Sequence, residues 1–243
     1  MFVTNMFVTL ACMASPTRSR RERPAKPPLS RDWIIAATIE IMRSEGLEKA
    51  TMRRVAQALD TGPASLYVYV ANTAALHTAV LDDLLGSVEP ASEGDWQSRL
   101  EALLTDFGRV LFAYPGLARS ALVLRPTGPN AILLYDRLLG LLLEGRIEPA
   151  RAAWGVDLLL QYVTANAAEH SAPAPSDVDT AASDAAEWDD LTRALRTASP
   201  EMAPHVAAHA EAILGGTPEQ RVDWALRALV AGIATTALPD SRS

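Results

Sequence analysis

From residue 31 onward apolar residues recur every three or four positions, and no stretch alternates apolar with polar over the length of a strand. That period predicts α-helices throughout. The pattern places them near residues 63–70, 72–88, 95–113, 116–125, 129–144, 148–170, 184–197, 201–214 and 218–237, with Pro and Gly falling mainly between them. In the 72–88 helix the apolar side is Ala75, Leu76, Val80, Leu81, Leu84 and Leu85, which makes it a link between the N-terminal helices and the longer C-terminal set. Residues 171–183, SAPAPSDVDTAAS, are poor in large apolar side chains and read as a flexible loop.

The segment TMRRVAQALDTGPASLYVYVANTAAL, residues 51–76, is the most informative stretch. Thr51 can cap a helix carrying Met52, Val55, Ala56 and Leu59 on one side, with Arg53, Arg54 and Gln57 largely outside that stripe. After Asp60 and Thr61, Gly62 is the residue that tolerates turn angles, and Pro63 sits at the first position of the next helix, where its missing amide does no harm. Leu66 and Val70, four apart, pack inward, leaving Ser65, Tyr67, Val68 and Tyr69 on the flanks and outer side. Two short helices joined this way form a helix-turn-helix, whose second helix fits the major groove of duplex DNA.

These residues resemble the tetracycline-repressor (TetR) family. Its signature is a first helix, here 29–46 with Trp33-Ile34-Ile35-Ala36-Ala37 and Gly46-Leu47, then Thr51 with Val55-Ala56, a turn, and Leu66-Tyr67-Val68-Tyr69-Val70-Ala71-Asn72. The match covers residues 29–86 and is specific; the rest of the chain supplies no motif. The resemblance implies an all-α fold, an N-terminal three-helix helix-turn-helix head joined to a larger helical ligand-binding and dimerisation domain. It assigns Thr51 and Tyr67 to phosphate and Ser65 and Tyr69 to base edges. Arg53 and Arg54 are placed to reach the DNA backbone, and Pro63 and Ala64 are small enough for close approach to a thymine methyl. One departure stands out: the family usually has a lysine or arginine after the reading helix, whereas here that residue is Thr73, and no Lys or Arg occurs between Arg54 and Arg99.

Charge then becomes informative. Residues 18–57 hold ten Lys or Arg against five Asp or Glu, net +5, and residues 58–243 hold twelve against twenty-four, net −12, which together give the chain's −7. A basic head on an acidic body suits contact with DNA at one end only. Arg18, Arg20, Arg21, Arg23 and Lys26 lie among Pro24, Pro27 and Pro28, a composition expected to form a flexible arm over residues 1–28 that can lie along phosphates or enter a minor groove. Ahead of it, MFVTNMFVTLACMASP lacks the charged start of a secretory signal and the ~20 apolar residues of a membrane span, and reads as an over-long start, with Met13 and Met6 as alternative initiators. The one cysteine, Cys12, lies there, so neither a disulfide framework nor a CxxC metal pair is expected, and the compartment implied is the cytoplasm, without a membrane partner.

The chain thus divides into the arm, a DNA-binding domain over 29–76, and a helical ligand-binding and dimerisation domain over 77–243. The helices carrying Trp154, Leu158 and Tyr162 and carrying Trp224, Leu229 and Ile233 have apolar residues on more than one face, as expected of helices covered on one side by a second copy of the chain. In the family two late helices of each subunit form a four-helix bundle. The candidate ligand residues in the middle helices are Phe107, Leu111, Tyr135, Leu138, Trp154, Gln161, Tyr162 and Asn166; Tyr135, Gln161 and Asn166 bring polar groups into apolar helices and need partners there. The function so implied is a ligand-responsive repressor released from a double-stranded operator by a small molecule, with no cofactor.

Two rival readings stay open. Thr73 and the uncharged reading helix fit a ligand-binding helical dimer that has lost specific DNA binding. His205 and His209, four apart, fit a helical metal-dependent enzyme with Glu201 or Glu211 as a further ligand. No phosphate-cradling glycine loop, GxSxG turn or evident catalytic triad accompanies them, so the leading reading is not an enzyme.

Overall fold

The structure, a computed structural model, describes residues 28–114, 116–124, 126–170 and 178–239, the stretch 178–185 by its backbone alone. Among the described residues the chain is helical and has no strand. Its elements are α1 (Arg31–Glu45), a 3₁₀ turn (Leu47–Lys49), α2 (Met52–Ala58), α3 (Pro63–Leu66), α4 (Thr73–Leu85), α5 (Trp96–Phe112), α6 (Leu117–Ala121), α7 (Pro129–Glu144), α8 (Pro149–His170), α9 (Val178–Arg196), α10 (Pro204–Leu214) and α11 (Pro218–Thr235).

Short polar side chains start five of these helices. Ser30 accepts the Trp33 amide at 3.1 Å, Asn72 that of Ala75 at 2.8 Å and Asp95 that of Ser98 at 2.8 Å. At α11, Thr217 and Gln220 bond each other's backbone amides, closing a capping box. The sharp turn between α2 and α3 is made differently from the sequence expectation. Gly62 has φ −82°, open to any residue, while Asp60 takes φ 50°. A short acidic side chain tolerates that left-handed region.

The head packs Ile34, Ile35 and Ile41 of α1 against Val55 and Ala56 of α2, Leu66 of α3 and Leu76 of α4, all buried. α4 then runs on into the body, so the boundary expected at residue 76 falls inside a continuous helix. In the body α8 is central and packs against α5, α6, α7 and α11. Gly155 lets α11 close on α8, since a Cβ there would lie 2.7 Å from Ile233. α9 starts at Val178, inside the stretch expected to be a loop. The alanines of that stretch carry the highest helix propensity and lack bulk to bury, which hides a helix from a reading based on large apolar residues.

One joint fixes α4 to the body. Gly128, the residue before α7, offers no side-chain cap, and Pro129 has no amide to donate. The cap comes instead from α4: Asp82, 8% exposed, accepts the Ala131 amide on Oδ1 at 2.9 Å. Asn130 Nδ2 donates back to the Asp82 carbonyl at 2.9 Å, and Arg137 Nη1 to the Val88 carbonyl at 2.7 Å. A Cβ on Gly128 would meet the Asp82 carboxylate at 2.1 Å, so the approach demands glycine although its φ of −76° does not.

Candidate nucleic-acid interface and ligand cleft

The tip of the head is the turn of α3. Leu66 and Val70 hold it to the core, and the Val70 amide bonds the Leu66 carbonyl at 3.0 Å, so helical geometry continues past α3. Pro63, Ala64, Ser65, Tyr67 and Val68 are left facing outward, with Val68 81% exposed. Thr51 accepts the Arg54 amide at 3.2 Å and so caps α2, while remaining exposed.

Two residues expected at DNA are engaged within the head. Arg54 donates from Nε to both carboxylate oxygens of Glu45 at 3.1 Å, clamping α2 to α1, and this hydrogen bond holds the Glu45 carboxyl below its ordinary range. The Tyr69 hydroxyl donates to the Leu29 carbonyl at 2.6 Å, which fixes the start of the folded chain beside α3. Arg53 is exposed and makes no ion pair among the described residues. Arg18, Arg20 and Arg21 lie outside the described residues. The head meets the body at Arg43, whose Nη2 donates to the Tyr114 hydroxyl at 3.5 Å and whose guanidinium lies 6.0 Å from that ring's centre.

Two large hollows mark the body. A cleft of about 820 Å³ lies between α5, α8 and the start of α11. Helical spacing builds it: Ser98, Glu101, Thr105 and Arg109 on α5, Asn166 and His170 on α8, and Val222 and Leu226 on α11 each form one stripe. A second groove of about 630 Å³ runs along the outer faces of α8 and α11 past Trp154, Leu158, Gln161 and Leu229.

The expected ligand residues therefore separate. Asn166 lines the larger cleft, and its Oδ1 is buried and has no hydrogen-bond partner among the described residues. Trp154 and Gln161 line the outer groove, where Gln161 bonds Asp157 one turn earlier. Phe107, Leu111 and Leu138 are closed in the core and line neither hollow, since neighbouring helices cover the very faces whose periodicity made them candidates. Tyr135 stands exposed on α7. Tyr162 is half-buried and packs against the core, its hydroxyl pushed up by burial. Glu101, Phe112 and Val222, which were not among the expected residues, also line the larger cleft; the α5 residues there share the spacing 98, 101, 105, 109 and 112, a second stripe beside the apolar one.

The interval His205–His209 is interrupted, because His209 leaves helical angles at φ −127°, ψ 16° and kinks α10. Among the described residues no group of three or more His, Cys, Asp or Glu is placed to hold a metal, and no helix is long and apolar enough to cross a membrane.

Residues 34–80 match the model for bacterial regulatory proteins of the tetR family, and residues 89–237 match the tetracyclin repressor-like C-terminal domain. The chain belongs to the TetR family. The function that goes with this fold is ligand-responsive, DNA-binding transcriptional repression, and members bind DNA operators and small-molecule ligands as dimers. The structure is similar to that of SCO7704 from Streptomyces coelicor, at 48% identity and TM-score 0.73 over 89% of this chain and 100% of that one. It is also similar to the TetR-family protein ActR of Streptomyces coelicolor, solved in complex with actinorhodin, at 31% identity and TM-score 0.74 over 85% and 96% of the two chains. Among curated relatives, the repressor DrrR1 of Streptomyces coeruleorubidus is 35% identical over 129 residues, 52% of this TetR-family chain and 48% of its own length, so the match spans about half of that relative.

Proposed function

We propose that this TetR-family chain sits on a palindromic operator as a two-fold dimer, reads it with Ser65, Tyr67 and the small residues Pro63 and Ala64, and is released when a small molecule enters the cleft between α5, α8 and α11. The observation that carries the reading is the outward turn of Tyr67 and Val68 at the tip of a head whose inner side, Leu66 and Val70, is closed against the core. An exposed hydroxyl-bearing aromatic and an exposed valine on so short a turn have no fold to stabilise and are free for a groove. Thr51 and the exposed Arg53 flank that turn on the side of the phosphates. The arm with Arg18, Arg20 and Arg21 supplies the charge that Thr73 lacks.

Dimerisation runs through the outer faces of α8 and α11, where Trp154 and Trp224 are more than half exposed in the single chain. A dimer doubles the base contacts, provided its heads match major grooves ~34–36 Å apart. Ligand binding that favours another spacing lowers operator affinity; a coupling of ~1–3 kcal/mol gives roughly 5- to 150-fold, and by reciprocity the operator weakens the ligand equally. ActR with its bound actinorhodin supports a ligand-holding body of this kind.

Fluorescence anisotropy against the DNA flanking the protein's own gene, beside a scrambled duplex, tests the whole reading. Tight binding selective for the flanking DNA is expected, lost in Tyr67→Ala and, through loss of the dimer on sedimentation, in Leu158→Arg. Equal weak binding to both duplexes, abolished by modest salt, would instead leave only the basic arm acting and make the protein a ligand-binding dimer without operator recognition.

A further inference from the structure

A histidine of α4 ties that helix to the turn ahead of α2. Ala50 ends the 3₁₀ turn at φ −75° and ψ 56°, and the Thr51 amide bonds back to the Lys49 carbonyl at 2.8 Å, which makes an inverse γ-turn. Such a turn commits the Thr51 amide locally and leaves the Ala50 carbonyl to find its donor elsewhere. Ala50 is fully buried, so bulk water cannot serve. The donor is His77, half-buried on α4, whose Nε2 lies 3.0 Å from the Ala50 oxygen. A carbonyl oxygen only accepts, so that ring nitrogen carries the proton.

The Ala50 oxygen and the Thr51 nitrogen belong to one planar peptide unit. With His77 on its oxygen and the Lys49 carbonyl on its N–H, that plane is held from both edges, and the start of α2 is fixed to α4. Thr51 Oγ1 accepts the Arg54 amide at 3.2 Å while the residue stays exposed, so the hydroxyl keeps a proton to donate outward. We propose that His77 is a positioning residue for operator binding: through the Ala50 carbonyl it holds the start of α2 where the Thr51 hydroxyl donates to a phosphate of the duplex. This rests on the operator-binding reading. Satisfying a buried carbonyl also stabilises the fold, and the two roles differ in what their loss does to DNA binding.

Anisotropy titrations of the full-length protein, on the DNA flanking its own gene and on a scrambled duplex, separate them. His77→Leu removes the donor, and His77→Gln places an amide N–H where Nε2 lies. Thr51→Gly removes the hydroxyl, with glycine still an adequate helix cap. His77→Leu and Thr51→Gly should each weaken operator binding at least about tenfold, the size of one hydrogen bond to a charged group. Preference for the operator over the scrambled duplex should persist, because a phosphate contact carries no sequence information. The double variant should bind within about twofold of either single one, since both remove the same contact. His77→Gln should recover most of the affinity. Circular dichroism confirms folding at the titration temperature, and His77→Asn, whose shorter amide stops near Nδ1, replaces the leucine variant should that one not fold. Losses that multiply in the double variant, loss of operator preference, no recovery in His77→Gln, or unchanged binding in His77→Leu overturns the proposal. Wild-type protein that prefers neither duplex refutes operator recognition and this role with it, whereas wild-type preference beside an unaffected His77→Leu refutes the role of His77 alone.

Discussion

Replacing Asp82 by alanine removes a helix cap that another helix provides. The wild-type carboxylate accepts the Ala131 amide at 2.9 Å in a site where Asp82 is 8% exposed. Losing an N-cap acceptor costs ~0.5–2 kcal/mol, and leaving a buried amide unsatisfied costs ~1–3 kcal/mol; these overlap, so about 1–3 kcal/mol is the expected loss. At ~2–4 °C per kcal/mol for a chain of this size, the melting temperature should fall by about 2–12 °C at fixed protein concentration. Asp82→Asn keeps an acceptor oxygen and loses only the interaction of charge with the helix dipole, about 0.3–1 kcal/mol. Gly128→Ala, whose Cβ would lie 2.1 Å from the carboxylate, should resemble Asp82→Ala. Thermal unfolding at 222 nm, with urea midpoints as a second measure, ranks the three. Equal melting of Asp82→Ala and Asp82→Asn, or a loss below about 0.5 kcal/mol for the alanine variant, would show that water replaces the carboxylate and that the cap is not a stabilising joint.

The head gives two further outcomes. Thr73→Lys restores a cation at the start of α4 and should steepen the slope of log K against log salt by about 0.9 without changing selectivity, measured on operator and scrambled duplexes. Glu45→Gln tests the clamp through pH: because Arg54 holds the Glu45 carboxyl below its ordinary range, its stabilisation is present at neutral pH and is lost as pH falls through that lowered range. The wild-type urea midpoint should therefore drop toward that of the variant on acidification, and two curves that stay parallel from pH 7 to pH 3 would remove the clamp from the account.

Local patterns made most of the fold legible. Leu100, Leu103, Leu104, Phe107 and Leu111 announce both α5 and its buried side, and Pro and Gly mark where helices stop. Tertiary partners were not legible. Asp82 reads as one polar residue on an apolar helix, and its partner amide is 49 residues away. Glu101 looks like an ordinary solvent-facing carboxylate and Asn166 like a lone carboxamide between Val163 and Ala167, and only the packing of α5, α8 and α11 places both on the lining of one cleft. In the head, Tyr69 and Arg54 have the chemistry of DNA contacts, and only the fold reveals that Leu29 and Glu45 are their partners. The turn was assigned to Gly62 by propensity, but the left-handed angle falls two residues earlier, on Asp60.

Val68, 81% exposed at the tip of the head, alters how binding should register in a calorimeter. The reading turn carries hydroxyls and hydrocarbon, with Arg54 already committed to Glu45, so its contact with a groove would be driven by released water more than by new ion pairs. Such an association carries a negative heat-capacity change and turns more exothermic on warming. The operator complex would then be governed as much by temperature as by ionic strength.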